Sequence, residues 1–352
     1  MYVRFYNLTG PPFQLTPDHR FFFGSQTHQK ALAYLTFGLL QGEGFIVITG
    51  DIGSGKTTLV GQLLSQLDTT KYVAATVVTT QLDADDTLRM VASAFGLRHD
   101  CTDKASLLRE IESFLLMNQR QERRVLLLID EAQNLPARSL EELRMLSNFQ
   151  VGEKAALQIY LLGQPQFRQT LARESLEQLR QRIIASHHLG PMQQHETQAY
   201  IEHRLAHAGW KGDPQFTADA FERIFRQSGG VPRKINTLCT RLLLFGALEQ
   251  RHTIDSGNVE EVIRDLLEET TPPAMPGTAP APPSSAADPA GARAGGVDLS
   301  RLERRIDEIE RSVERQERTL RLALRVLMAQ IEADAEPTAA STRQRSNHES
   351  IS

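Results

Sequence analysis

The chain has 352 residues, 40% of them hydrophobic and 23% charged, with a formal net charge of -4. That balance is ordinary for a globular protein of two or three domains and argues against a strongly basic whole-chain surface of the kind nucleic acid attracts, although a local basic patch would vanish in the sum. Cys101 and Cys239 lie far apart and belong to no CxxC pair, and there is neither a leader-like apolar segment nor an apolar run long enough to span a bilayer. A reducing, cytoplasmic setting without disulfide framework, zinc site or membrane span is therefore expected.

The first strong signal is the apolar run at residues 45–49, followed by Gly50, Asp51, Ile52, Gly53, Ser54, Gly55, Lys56 and Thr57, and by a helix-like stretch at 58–64 that opens with Thr58. This is a phosphate-binding loop in a strand–loop–helix setting. Glycines let the backbone curl so that N–H groups converge on phosphate oxygens, and the helix N-terminus adds positive potential. Lys56 is placed to reach the β/γ-phosphates and Thr57 to ligate Mg²⁺, so residues 50–58 are expected to bind ATP with Mg²⁺.

Further short apolar runs at 72–78, 125–129 and 157–162 alternate with helical patterns at 85–95, 105–117 and 139–148. Such alternation predicts an α/β fold, a three-layer parallel sheet of the P-loop NTPase type. The run at 125–129 ends in Asp130 and Glu131. Asp130 is expected in the Mg²⁺ shell, and Glu131 as the group that orients or deprotonates the attacking water. Gln164 follows the run at 157–162 and is expected between these two elements as a sensor of the γ-phosphate, although polar residues also end strands for backbone reasons. Arg180 and Arg182 precede a last short strand near 186–189. Arg182 is the chosen arginine finger for a neighbouring subunit and Arg180 the reserve, a solvated helix face being the plain alternative.

From about residue 193 strand patterns cease, and helices are expected at 197–208, 217–227, 232–248 and 256–267, an all-helical lid domain. Gly229 and Gly230, then Pro232 at a helix start, set Arg233 near a helix N-terminus, where it can face the nucleotide as a second sensor. Seven of the sixteen prolines fall between residues 270 and 296 in an Ala/Gly/Ser/Thr-rich stretch that reads as a disordered linker. Beyond it Leu299, Leu302, Ile306, Ile309, Val313, Leu320, Ala323 and Leu327 form a short heptad seam, with acids placed four residues before bases. A C-terminal coiled-coil helix is expected there, or an amphipathic helix docked on its own core, followed by a disordered tail.

The ordered motifs GDIGSGKTTL, LLLIDEAQNL, LRMLSNF, LLGQPQ, LRQRI and GGVPRKIN, with the entry segment around residues 12–23, resemble the AAA+ ATPases of the general secretion pathway protein A type over about residues 1–269. The resemblance implies an AAA+ core over 1–190 including that entry segment, a helical lid over 191–269, ATP hydrolysis and homo-oligomers. The linker would then occupy 270–297, the coiled coil 298–333 and the tail 334–352. Without a membrane span or peptidoglycan-binding module, the chain looks more like the relatives tied to exosortase (PEP-CTERM) and exopolysaccharide systems. The implied role is a Mg²⁺-dependent switch or assembly factor for envelope secretion or polysaccharide export. It would recruit an export component through the coiled coil and lie peripheral to the inner membrane through that partner. A DNA-binding ATPase like transposition helpers is the alternative, with nucleic acid not favoured. A nucleotide-locked scaffold built around the coiled coil is a third reading.

Overall fold

The computed structural model describes residues 1–78, 84–99, 103–152 and 154–270, all within one compact unit. The linker, coiled coil and tail expected beyond residue 270 lie outside the described residues, as does Cys101. Cys239 is buried and free, and burial raises its thiol pKa.

The sheet comprises β1 (Phe45–Gly50), β2 (Tyr72–Val78), β3 (Arg124–Asp130), β4 (Leu157–Gly163) and β5 (Ile183–Leu189), all parallel in the order β2-β3-β4-β1-β5. Because successive strand residues point to opposite faces, each central strand divides its side chains between two cores. Phe45, Val47, Val125, Leu127, Ile129, Leu157, Ile159 and Leu161 face one; Ile46, Ile48, Leu126, Leu128, Tyr160 and Leu162 face the other. Helices cover both faces. α1 (Gln26–Gln41) and α2 (Lys56–Gln66) supply Ala31, Leu35, Leu39, Leu59, Val60 and Leu63 to the second core. α3 (Ala84–Ala94), α4 (Lys104–Arg120) and α5 (Ala137–Leu146) supply Leu88, Val91, Leu107, Ile111, Leu115, Leu140, Leu143 and Leu146 to the first.

Inserting β4 between β1 and β3 matters for function. It brings the C-terminal ends of three neighbouring strands, and the loops that leave them, to one edge of the sheet, where parallel α/β folds place their ligands.

The helical region expected to act as a lid consists of α6 (Gln194–His207), α7 (Ala218–Ser228), α8 (Pro232–Leu248) and α9 (Ser256–Thr270). It differs from the all-helical expectation in one respect: Gln215–Phe216 and Thr253–Ile254 pair as two-residue parallel strands. Two residues are too few for a period of two to show in the sequence.

The entry segment also differs from its expected place in the sheet domain. Tyr6, Leu8 and Phe13 are buried in the lid's own core with Ile201, Leu205, Leu238 and Leu242. Arg204 of α6 fixes the segment further. Its Nε donates to the Pro12 carbonyl at 2.6 Å and one Nη to Tyr200 Oη at 2.9 Å, and its guanidinium lies 4.9 Å from the centroid of the Phe21 ring.

Candidate active site

The loop Gly50–Thr57 joins the fully buried β1 to α2, whose N-cap is Gly55. Lys56, only 6% exposed, curls back so that Nζ donates to the carbonyls of Gly50 at 2.8 Å and Asp51 at 3.0 Å. Burial lowers its pKa, and the carboxylates of Glu131, Asp130 and Asp51 oppose that shift by favouring the ammonium. The carbonyl oxygens hold a cation where phosphate oxygens can replace them. Ser54 Oγ is buried in the same loop without a hydrogen-bond partner. At Gly53, with φ of +81°, a Cβ would lie 2.3 Å from Arg233 Cβ, so the loop stays bare on that side. These features fit a phosphate cradle.

At the end of β3, Thr57 Oγ1 donates to Asp130 Oδ2 at 2.7 Å, and Asp130 Oδ1 accepts the Glu131 N–H at 2.9 Å. Hydroxyl and carboxylate together make a hard oxygen pair of the type that Mg²⁺ prefers. Glu131 has a left-handed φ of +55°. Its Oε2 accepts from Gln133 Nε2 at 2.6 Å and from Gln164 Nε2 at 3.3 Å. Gln164, directly after β4, thus meets the acid at the end of β3. Arg233 comes from the lid, its N–H donating to the Gly53 carbonyl at 3.1 Å.

One cleft is lined by Gly53, Gly55, Lys56, Thr57, Thr58, Ile52, Glu131 and Arg233, and on its other wall by Phe21, Phe22 and Phe23 of the entry segment with Tyr200, Arg204 and Asn236 of the lid. A polar, cationic end therefore adjoins an aromatic one, which suits a nucleotide. Arg180 and Arg182 are elsewhere. Register pairs Phe45 with Ile183 and Gly50 with Leu189, so Arg182 sits at the opposite end of β5 from its own phosphate loop. Its Nη1 contacts Ser147 O at 3.4 Å, whereas Arg180 ends a short helix, Glu177–Arg180, with Nη1 on the carbonyls of Leu171 and Ala172.

Two residues around the site carry no sequence motif. His28, 5% exposed on α1, has Nε2 at 3.0 Å from the Ser54 carbonyl and Nδ1 at 2.6 Å from Ser25 Oγ. These partners assign the neutral tautomer, with Nε2–H donating to Ser54 and Nδ1 accepting from the Ser25 hydroxyl. Glu196, at the start of α6, accepts from the Gln26 N–H at 2.7 Å through one oxygen and from the Gln193 N–H at 2.9 Å through the other, so one carboxylate straps the lid to α1. Partners 170 positions apart leave no local signal in a sequence.

Burial lowers the His28 pKa below its ordinary 6.5, with His187 adding to the shift and the Ser54 carbonyl and Glu196 opposing it. Below pH 6.5 the unfolded chain therefore binds a proton that the folded one refuses, and stability falls as pH drops toward the folded value. Denaturant midpoints at pH 7.5 and about 5.5 are expected to lie closer together in His28→Gln than in the wild type. An unchanged gap would mean that His28 is not the group responsible.

Residues 39–171 match the family model described as an AAA domain. The chain is 39% identical over 260 residues to General secretion pathway protein A of Aeromonas hydrophila, a match that covers 74% of the chain and 47% of the relative. The chain thus spans about half the length of the curated relative it matches. Among solved structures, the ORC2 protein of Aeropyrum pernix in ADPNP-ADP complexes aligns with a TM-score of 0.55 at 15% identity, covering 72% of this chain and 71% of that one. Cdc6p of Pyrobaculum aerophilum aligns at 0.53 with 15% identity, covering 73% and 71%. These structures share the fold. Among the described residues no helix is long and apolar enough to cross a membrane.

Proposed function

We propose that the chain is an ATPase that acts as a Mg²⁺-dependent switch or assembly factor for envelope secretion, and the AAA domain match over residues 39–171 supports the ATPase part. The likeness to General secretion pathway protein A supports this reading. In its narrower form, drawn from the sequence alone, the chain serves an exosortase-associated or exopolysaccharide export system. It acts on the cytoplasmic side and engages a partner through residues 298–333.

The observation that carries the hydrolytic reading is the joined set beside the loop: Thr57 bonded to Asp130, and Glu131 bonded to both Gln133 and Gln164, with Thr57 and Glu131 lining the cleft that Lys56 and Arg233 complete. Bound Mg²⁺–ATP supplies the phosphoryl group and the charge neutralisation its transfer needs. Residues 50–58 hold the phosphates, and Thr57 and Asp130 hold the metal. Glu131 orients a water and takes its proton, Gln164 reports the phosphate end to Glu131, and Arg233 brings the lid into register with the loop. Arg182, remote from its own loop, serves a neighbouring copy in a homo-oligomer.

Purified protein is expected to hydrolyse ATP only with Mg²⁺. Lys56→Ala removes charge-assisted bonds worth about 1.5–3 kcal/mol each, so nucleotide affinity falls roughly 10- to 100-fold in a fluorescence titration. The full chain is expected to capture an envelope export component, and a chain ending at residue 297 to lose it. Absence of hydrolysis would sink the enzymatic part. A salt-sensitive stimulation by duplex DNA would replace the secretion assignment with the transposition-helper one.

A further inference from the structure

We propose that Gln133 is a positioning residue that ties the Glu131 carboxylate to the start of the loop after β4, so that Glu131 and Gln164 move as one unit. The inference rests on Glu131 and Gln164 acting in hydrolysis as proposed above.

Gln133 lies in the short turn Ala132–Asn134 that follows β3. Its Nε2 donates to Glu131 Oε2 at 2.6 Å, while its Oε1 accepts the Gln164 N–H at 2.9 Å. Gln164 Nε2 closes the ring by donating to the same Glu131 oxygen at 3.3 Å. A primary amide presents a donor and an acceptor side by side at the tip of one side chain. A glutamate would keep the acceptor for Gln164 and lose the donor for Glu131; a lysine would do the reverse.

The ring joins the ends of two adjacent strands. β3 and β4 are already paired along their length up to Ile129 and Leu161, and the pairing stops just before the acid and the sensor. Gln133 takes over where the backbone ladder ends. It bonds the side chain of one residue and the backbone of the other, so a displacement of the Gln164 backbone pulls on the carboxylate that activates water. Gln133 itself does not line the nucleotide cleft, whereas Glu131 does. The residue therefore acts on rate through geometry, and its loss should separate turnover from binding.

The test uses the full chain, with steady-state ATP hydrolysis and titration of a fluorescent ATP analogue. A loosened catalytic group costs on the order of 100-fold for a displacement near 1 Å, so Gln133→Ala is expected to lower kcat roughly 10- to 100-fold. Nucleotide affinity should stay within about threefold of wild type, the mark of an interaction that serves only the rate-limiting step. Gln133→Glu, equal in size, should not restore kcat, whereas a space-filling role would be rescued by it. In Glu131→Gln protein, where no carboxylate is left for Gln133 to hold, adding Gln133→Ala should cost far less than in the wild type, since Gln133 acts through that carboxylate. Hydrogen exchange of the Gln164 amide should accelerate in Gln133→Ala without nucleotide, a readout that needs no activity. Unchanged kcat, affinity falling in step with kcat, rescue by glutamate, or fully multiplicative losses would each overturn the proposal. If Glu131→Gln and Gln164→Ala leave hydrolysis intact, the underlying reading of the site fails; if they abolish it and Gln133→Ala does not, only this inference fails.

Discussion

Glu131→Gln is expected to lower the ATP hydrolysis rate by about 10²- to 10⁴-fold, the usual contribution of a general base, while the protein still binds ATP. The replacement keeps the length and planarity of the side chain. Its amide oxygen can still accept from Gln133, the partner at 2.6 Å, so the turn after β3 has no reason to rearrange. The amide cannot take a proton from water. Binding persists because the phosphate cradle belongs to β1 and α2, and Thr57 keeps its bond to Asp130 at 2.7 Å. ATP should therefore accumulate on the variant, visible as retained radiolabel on a filter when Lys56→Ala retains none. Hydrolysis within about threefold of wild type would remove Glu131 from its proposed role.

Gly230→Ala is expected to destabilise the described unit by about 2–4 kcal/mol and to weaken nucleotide binding with it. Gly230 has φ of +72°, and a Cβ there would lie 2.1 Å from the Met192 carbonyl oxygen and 3.0 Å from its carbon. Both atoms are backbone, so no rotamer can relieve the overlap. The same carbonyl-bearing segment is held by the Met192 N–H donating to Gly230 O at 3.0 Å, which fixes the chain leaving β5 against the turn that opens α8. Forcing them apart displaces Arg233 from its bond to Gly53 and opens the cleft on the lid side. Gly229→Ala is the matched control. With φ of +60° and nothing within 4 Å of the added Cβ, it should cost only about 1 kcal/mol of left-handed backbone strain. Equal denaturant midpoints for the two variants would refute the steric argument.

Much of the candidate site is legible in the sequence because its parts are local. A phosphate loop needs glycines, a lysine and a hydroxyl within eight positions, and the metal-side acids need an apolar strand that ends in them. Arg233 was legible through Pro232 at the first position of α8, since that pair marks a helix start. Gln133 stood inside a motif already recognised, two positions after Glu131, yet nothing in the motif says that its amide spans to the next strand.

Other features could not be read. The two-residue strands of the lid are shorter than any period, and α1 carries Tyr34, Phe37 and Leu40 on its exposed side, which blurs the apolar stripe that announces a helix. The resemblance implies an entry segment that belongs to the core over 1–190. Its apolar side chains instead fill the lid, where Arg204 satisfies the Pro12 carbonyl.

By itself the sequence determined the class of fold and which residues were candidates to carry chemistry on it. Glycine spacing, strand-end carboxylates and alternating periods act over a few residues, and their physics needs no distant partner. Tertiary structure alone decided which of those residues meet. Strand order sets β4 between β1 and β3 and so brings Gln164 to Glu131, and the parallel register puts Arg182 at the far end of β5 from its own loop. The contacts around the loop, His28 on the Ser54 carbonyl and Glu196 from the lid to α1, were likewise decided by packing. A buried polar group must find a partner wherever the chain brings one, and that need leaves no periodic trace along the sequence.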